Sequence, residues 1–430
     1  MGLAACLLKY PFRTTLHKPM SATLLAPAIS STRADAKVNV CIVGNNLYPV
    51  FTGGGVQALT LAREFKRLGH GVFFITKKHG DLADYDRVDG LDIYRIKYEN
   101  LPPWAIVQVI SQLVSLTRVL LRFRARYDVV LFFNPDGGML HSWVLFPLLH
   151  LLGKKTATRM TLLHSSSDPV GLSRKRFPSI RLLPYRLHHR VISISTALSM
   201  SYESVFGRDT RLVRITNGVD TRKFRPAEAG ERDAERRALG LDPDLRYCTF
   251  VGRIGHRKGV DVLIEAWRDV APKFPDARLL LVGPTREDYR QAHEAEYIAA
   301  LEAKIDEYGI ADRIVWTGKS DSVERYLRAS DVFVFASRRE GCPNALLEAM
   351  ASGLPIVTTR IDHITEDLIR HGQDGLITPP DAAAFADALT RVLSAPSLGR
   401  ELGNSARRRT EAEFSIGRTA EKYLETLGSL

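Results

Sequence analysis

Two glutamates, Glu340 and Glu348, frame the segment with the most chemistry in it, ASRREGCPNALLEAMASGLPIVTT. The apolar run 331–337 reads as a strand. Glu340 and Gly341 fall on the loop that leaves it, and Pro343 suits the first turn of a helix. A spacing of eight does not keep both carboxylates on one helical face. Glu340 therefore belongs to the entry loop, Glu348 projects from the second turn, and the two can meet different ends of one ligand. The first-turn amides at Asn344, Ala345 and Leu346 offer an anion site. Taken alone, either glutamate reads equally well as a solvated surface charge.

A second group lies in VGRIGHRKGVDVLIEAW, where Arg253 ends a strand and Lys258 and Gly259 precede a helix. Two cations at the carboxyl end of a strand suit a pyrophosphate, although ordinary surface charge is the plain alternative. The GxxxxGK[ST] spacing is absent, which excludes nucleotide hydrolysis of the P-loop kind. A third group, Gly53, Gly54 and Gly55, sits between the first apolar strand (38–44) and the first helix (56–69). Glycines there let a ligand approach the backbone, or simply make a tight turn. The run is not GxGxxG, so a nicotinamide cofactor is disfavoured.

Elements of one type must carry these groups. Apolar strands at 38–44, 71–76, 91–97, 128–133, 157–163, 191–195 and 211–215 alternate with helical segments. After 220 the pattern restarts at 249–253, 277–283, 313–318, 331–337 and 354–359. Apolar strands alternating with helices belong in parallel sheets covered on both faces. With 430 residues, at roughly 100–200 per domain, the reading is α/β with two Rossmann-like doubly wound domains facing a central cleft. The boundaries are a leader over 1–37, poorly ordered or an artefact of a start placed before Met20, then a first domain over 38–220. A second domain spans 221–405, and a terminal helix over 406–430 returns toward the first.

Charge separates the halves. Residues 1–220 carry 29 Lys and Arg against 14 Asp and Glu, whereas residues 221–430 carry 31 against 34. The basic half points to an anionic surface or substrate, or to solubility alone. Residues 104–126, with Arg118, Arg122, Arg124 and Arg126 at their end, could lie on an anionic membrane together with Lys154, Lys155 and Arg174–Arg176. An ordinary buried helix fits the same residues. No stretch reaches the roughly 18 apolar residues of a membrane span. Four cysteines without a close pair exclude a disulfide scaffold or Cys-rich zinc site. No Asp-x-Asp pair stands at a strand end near the motifs, so no metal is expected.

The glycine loop, the VGR…KG segment, the E-x7-E pair, the following GLPIV and the crossover ITNGVDTRKFRP together resemble the retaining, nucleotide-sugar-dependent glycosyltransferases of family 4, which have GT-B architecture. The resemblance covers roughly 38–425. It implies Arg253 and Lys258 at the donor's diphosphate, Glu348 on the ribose hydroxyls and Glu340 at the transferred sugar. Gly318 and Lys319 would lie beside the base, and Gly54 and Gly55 beneath the sugar–phosphate junction, with His164 as the active-site histidine. Asn217 and Gly218 would shape the hinge. The donor would be a UDP-sugar, with a GDP-sugar as alternative, and the acceptor a glycan or lipid-linked hydroxyl. The implied setting is cytoplasmic, peripheral on the membrane, with no nucleic acid as partner. One departure stands out: Asp362 and His363 occupy a turn where the family has glycines, which would narrow the space beside the donor. Competing readings are another GT-B enzyme, such as a nucleotide-sugar epimerase or a sugar phosphorylase, and a non-catalytic protein that binds nucleic acid or another anionic surface.

Overall fold

A computed structural model describes residues 37–49, 52–96, 106–133, 139–163, 168–288 and 292–430. The described residues open with the strands β1 (Val40–Gly44), β2 (Val72–Lys77), β3 (Tyr85–Val88), β4 (Leu91–Ile96), β5 (Val129–Phe133), β6 (Lys155–Arg159), β7 (Arg190–Ser193) and β8 (Leu212–Arg214). These form one sheet in the order β3-β4-β2-β1-β5-β6-β7-β8. A second sheet comprises β9 (Arg246–Val251), β10 (Ala277–Val282), β11 (Ile314–Gly318), β12 (Val332–Phe335), β13 (Ile356–Thr359) and β14 (Leu376–Thr378), in the order β11-β10-β9-β12-β13-β14. All pairings are parallel except β3 with β4. The result is two Rossmann-like domains of the GT-B type, as the alternation of apolar strands and helices requires.

Strand order dictates where a ligand can sit. In the first sheet the direction of winding reverses between β1 and β5, and in the second between β9 and β12. Open α/β sheets bind ligands at the carboxyl ends of such strands. The glycine loop follows β1, the Arg253–Lys258 loop follows β9 and the Glu340 loop follows β12, so all three candidate groups lie at switch points.

Several elements differ from their expected bounds, each for a local reason. The first helix spans Gly53–Arg67, not 56–69, because the Thr52 hydroxyl accepts from the Gly55 N–H (3.0 Å) and draws the three glycines into its first turn. Strand β6 occupies 155–159 rather than 157–163. Its pairing with β5 ends where Arg159 stands opposite Phe133, the last described residue of that stretch. Strand β9 starts at Arg246, whose guanidinium pairs with Asp276 (2.7 and 2.6 Å), and stops at Val251, so Arg253 lies beyond the strand. Strands β3 and β14 are additions. Asp89 and Gly90 both have positive φ (52° and 72°) between β3 and β4, the two-residue hairpin geometry that an Asp-Gly pair favours.

The boundary expected at 405/406 falls inside a helix, Pro396–Arg409. The chain passes through a π-helical turn at Thr410–Phe414 and an extended Ser415, then continues as the helix Ile416–Gly428, which packs on the Gly53–Arg67 helix with Tyr423 edge-on to Phe65 (6.4 Å). This return runs beside the crossover from the first domain. Val219 donates to Phe414 O (2.9 Å), and Ile416 donates back to Val219 O (2.8 Å). Cys41, Cys248 and Cys342 are free and buried.

Candidate active site

The loops after β9 and β12 are locked together by backbone contact. Gly259 has φ +66°, and a Cβ there would stand 1.9 Å from Ala336 O, so the lysine loop can press against the end of β12 only with glycine at this position. That approach brings Lys258 to Glu340. Lys258 Nζ donates to Glu340 Oε1 (2.7 Å), Ser337 Oγ donates to the same oxygen (2.7 Å), and Arg257 Nη1 stands 3.1 Å from it. Glu340 is 6% exposed. Burial pushes its pKa up, but the charges of Lys258 and Arg257 and the bonds from Lys258 and Ser337 outweigh burial and hold it below the usual carboxylate range. Lys258 and Glu340, expected at different parts of one ligand, are thus partners here. Arg257 and Ser337 were not singled out, although one adjoins Lys258 in sequence and the other ends the 331–337 run.

Arg253 ion-pairs with Glu294 on the helix Ala292–Glu307. Gly318 ends the edge strand β11 with φ +75° and open space where a Cβ would be, and the neighbouring Lys319 is exposed. The site residues therefore spread along the carboxyl edge from β11 through β9 to β12.

The helix Asn344–Ala351 has Pro343 at its N-cap, which supplies no side-chain acceptor to its first-turn amides. Leu346 is buried in the core, while Asn344 and Ala345 are partly exposed. Glu348, on the second turn, is partly exposed, yet desolvation pushes its pKa up to about 7. Glu324 adds to the rise, and Lys223 and Lys258 oppose it. Lys223, from the crossover, pairs with Glu324 (3.2 Å).

Across the domain boundary this helix meets the glycine loop. Asn344 Nδ2 donates to Gly53 O (2.9 Å), and Asn217 Nδ2 donates to Asn344 Oδ1 (2.7 Å) and to Cys342 O (3.0 Å). Two helix N-termini from different domains are therefore joined side by side. Gly54 faces open space, while the Gly55 N–H is taken by its cap. On the other flank a Cβ at Gly341 would stand 1.9 Å from Thr161 O, so the glutamate loop abuts the segment leaving β6. His164 lies outside the described residues.

The Asp362–His363 turn also reaches the first domain. His363, at φ +57°, accepts from the Ala197 N–H through its carbonyl (3.2 Å), and Asp367 accepts from Thr196 N (2.6 Å) and Thr196 Oγ1 (2.7 Å). Both side chains of the turn are exposed. Among the described residues no cluster of three His, Cys, Asp or Glu could hold a metal ion.

The chain is similar to known proteins in sequence and fold. Residues 246–395 match the family described as glycosyl transferases group 1, and residues 51–223 match glycosyltransferase family 4. The chain is related to the GT-B glycosyltransferase superfamily. Within that superfamily, 226 residues are 31% identical to the lipopolysaccharide core biosynthesis mannosyltransferase LpsB of Rhizobium meliloti, covering 50% of this chain and 60% of that protein. A longer match, 25% identical over 398 residues, spans 87% of this chain and 94% of an uncharacterized glycosyltransferase of Methanocaldococcus jannaschii. Two solved structures share the GT-B fold. Anabaena HepE in complex with UDP has a TM-score of 0.73 at 18% identity, over 91% of this chain and all of that one. Sucrose-phosphate synthase of Thermosynechococcus elongatus has a TM-score of 0.75 at 21% identity, over 91% and 99%.

Proposed function

We propose that this GT-B protein is a retaining glycosyltransferase that moves a sugar from a nucleotide diphosphate, UDP first and GDP second, to a hydroxyl of a glycan or lipid-linked acceptor. The observation that carries the reading is the Lys258–Glu340 contact at the β9/β12 switch point, beside two helix N-termini joined across the domains. A sugar nucleotide fits the edge of the second sheet with its base at Gly318 and Lys319, its ribose on Glu348, its diphosphate at Arg253, Lys258 and the amides of 344–346, and its sugar at Glu340. The mannosyltransferase relative and the UDP-bound neighbour support a sugar nucleotide as the ligand class.

In the proposed reaction the bond from the anomeric carbon to the β-phosphate oxygen breaks, and the acceptor oxygen bonds to that carbon on the same face. The acceptor proton passes to the departing diphosphate oxygen. Negative charge grows on the diphosphate as the bond breaks, so cations and helix amides fixed there lower the barrier. They meet that charge without a metal. The test is nucleotide release from a panel of UDP-, GDP- and ADP-sugars with a lipid extract as acceptor and excess chelator present. Release with one donor, and a product whose anomeric configuration matches the donor's by NMR, is the expected result. No release from any donor, or an inverted product, would refute the reading.

We further propose that the first domain rests on the cytoplasmic face of an anionic membrane. On the helix Ile106–Arg122, exposed Ile110, Val114, Arg118 and Arg122 form one stripe, apolar and then cationic. In the same domain, residues 174–180 are all exposed and combine three cations with Phe177 and Ile180. Arg126 and Lys154 do not join this face, because Arg126 pairs with Asp92 (2.6 Å) and Lys154 donates to Tyr127 O (2.6 Å). No helix among the described residues is long and apolar enough to cross a bilayer. Vesicles containing phosphatidylglycerol should bind the protein at low salt. Replacing Arg174, Lys175 and Arg176 by Gln should weaken that binding at least tenfold, at about 1 kcal/mol per surface cation. Equal sedimentation of the variant and the parent would count against the idea.

A further inference from the structure

Arg159 ends β6 and is 1% exposed. Its Nη2 donates to Asn217 Oδ1, and its guanidinium carbon lies 4.7 Å from the Phe133 ring centroid. Among the described residues Nε and Nη1 make no well-aligned hydrogen bond, the Tyr423 hydroxyl interacts with the guanidinium, and no carboxylate forms an ion pair with it. Two further polar groups that feel its charge, the Cys342 thiol and the Tyr423 hydroxyl, are both kept protonated by burial. A guanidinium does not shed its proton to escape burial. A buried charge without a counter-charge is costly to keep.

The position of this charge suggests its use. Asn217, which it holds, donates to Asn344 Oδ1 and Cys342 O, and Asn344 in turn donates to Gly53 O. A single relay thus runs from this buried cation to the first turns of the helices that converge from the two domains. Asn217 has one acceptor oxygen, and with Arg159 on that oxygen its amide nitrogen must point toward Asn344. Reversing the amide would set donor against donor.

We infer that Arg159 is a positioning residue for an anionic ligand: it orients Asn217 and Asn344 so that the two helix N-termini close on one diphosphate. This rests on the sugar-nucleotide reading above. Arg159 is too buried to touch the ligand, so it acts through the relay and through its field.

The test compares UDP with uridine by calorimetry on the full chain and on two variants. Arg159→Gln keeps a donor for Asn217 and removes the charge. Arg159→Lys keeps the charge and removes the planar fork. The expected result is that Arg159→Gln loses about tenfold in UDP affinity, with uridine affinity unchanged and an apo melting temperature no lower than the parent's. Arg159→Lys should hold the UDP-to-uridine ratio within about threefold. A ratio in Arg159→Gln within twofold of the parent's would overturn the inference, as would equal loss of UDP and uridine affinity. Failure of Arg159→Gln to fold would also overturn it by marking the residue as structural, and so would an Arg159→Lys ratio as low as that of Arg159→Gln. If the parent binds neither UDP, GDP nor ADP, the proposed function itself falls and takes this inference with it. Binding by the parent with an unchanged ratio in the variants removes the inference alone.

Discussion

Glu340→Gln is expected to lower turnover by about a hundredfold or more while leaving UDP affinity intact or a few-fold tighter. One oxygen of Glu340 faces Lys258, Arg257 and the Ser337 hydroxyl. In the resting protein the carboxylate therefore neutralises the cations that the proposed reaction needs for the leaving diphosphate. Gln removes that competition but also removes the negative charge placed where a sugar would develop positive charge. Loss of UDP binding in step with turnover would contradict the argument, and so would full activity.

The partner substitution separates structure from chemistry. Lys258→Met strands a buried carboxylate. Removing one member of such a pair costs about 3–5 kcal/mol, and Arg257 at 3.1 Å should keep the loss near about 2–3 kcal/mol. The double variant Lys258→Met/Glu340→Gln, with no stranded charge, should recover most of the stability and none of the activity. The sign of the pH dependence follows from Glu340. Its pKa lies below the ordinary value in the folded protein, so its contribution is present above the usual carboxylate range and is lost as the pH falls through the lowered value. The stability gap between parent and Lys258→Met should therefore narrow in acid. A gap that widens, measured by urea unfolding across that range, would refute the pairing.

Much of this site could be read from the chain, because a strand, a loop and a helix start leave local marks. The apolar run before Glu340, the proline at 343 and the glycines at 53–55 each act over a few residues. What the chain hides is set by strand order. Lys258 and Glu340 are 82 residues apart, and only the placement of β9 beside β12 makes them a pair. The Asp367 contact with the start of the Thr196–Phe206 helix joins residues 171 apart in different domains. The roles of Asn217 and Arg159 are hidden in the same way. Asn217 looks like a hinge residue until Asn344 arrives from the other domain, and Arg159 looks like a cation in a strand until its bond to Asn217 is seen. By contrast, the β3–β4 hairpin announces itself in the Asp89–Gly90 pair, a local signal passed over in favour of the parallel pattern around it. The π-helical turn at Thr410–Phe414 has no such mark, since no glycine or proline interrupts the polar helical run there.

UDP binding should strengthen between pH 6 and pH 8, by about tenfold at most for a single carboxylate with a pKa near the middle of that range. Glu348 is the group responsible. Desolvation in the angle between the Asn344–Ala351 helix and the crossover pushes its pKa to about 7, with Glu324 adding to the rise and Lys223 and Lys258 limiting it. Only the ionised carboxylate accepts from both ribose hydroxyls, so affinity rises as the proton leaves. Stability runs the other way. A carboxylate whose pKa is raised on folding binds its proton more tightly in the native state, so its contribution is largest below the unfolded value and is lost as the pH rises through about 7. Parent protein should thus melt at a slightly higher temperature at pH 6 than at pH 8 from this group, while binding UDP more weakly. Glu348→Gln should flatten both trends and bind UDP about tenfold more weakly than the parent at pH 8, the scale of a lost charge-assisted hydrogen bond. A uridine diphosphate lacking both ribose hydroxyls should keep only the pH dependence of its own terminal phosphate, with a pKa of about 6, in either protein. If the deoxy ligand follows the same pH curve as UDP, the proton belongs to another group, and Glu348 does not hold the ribose.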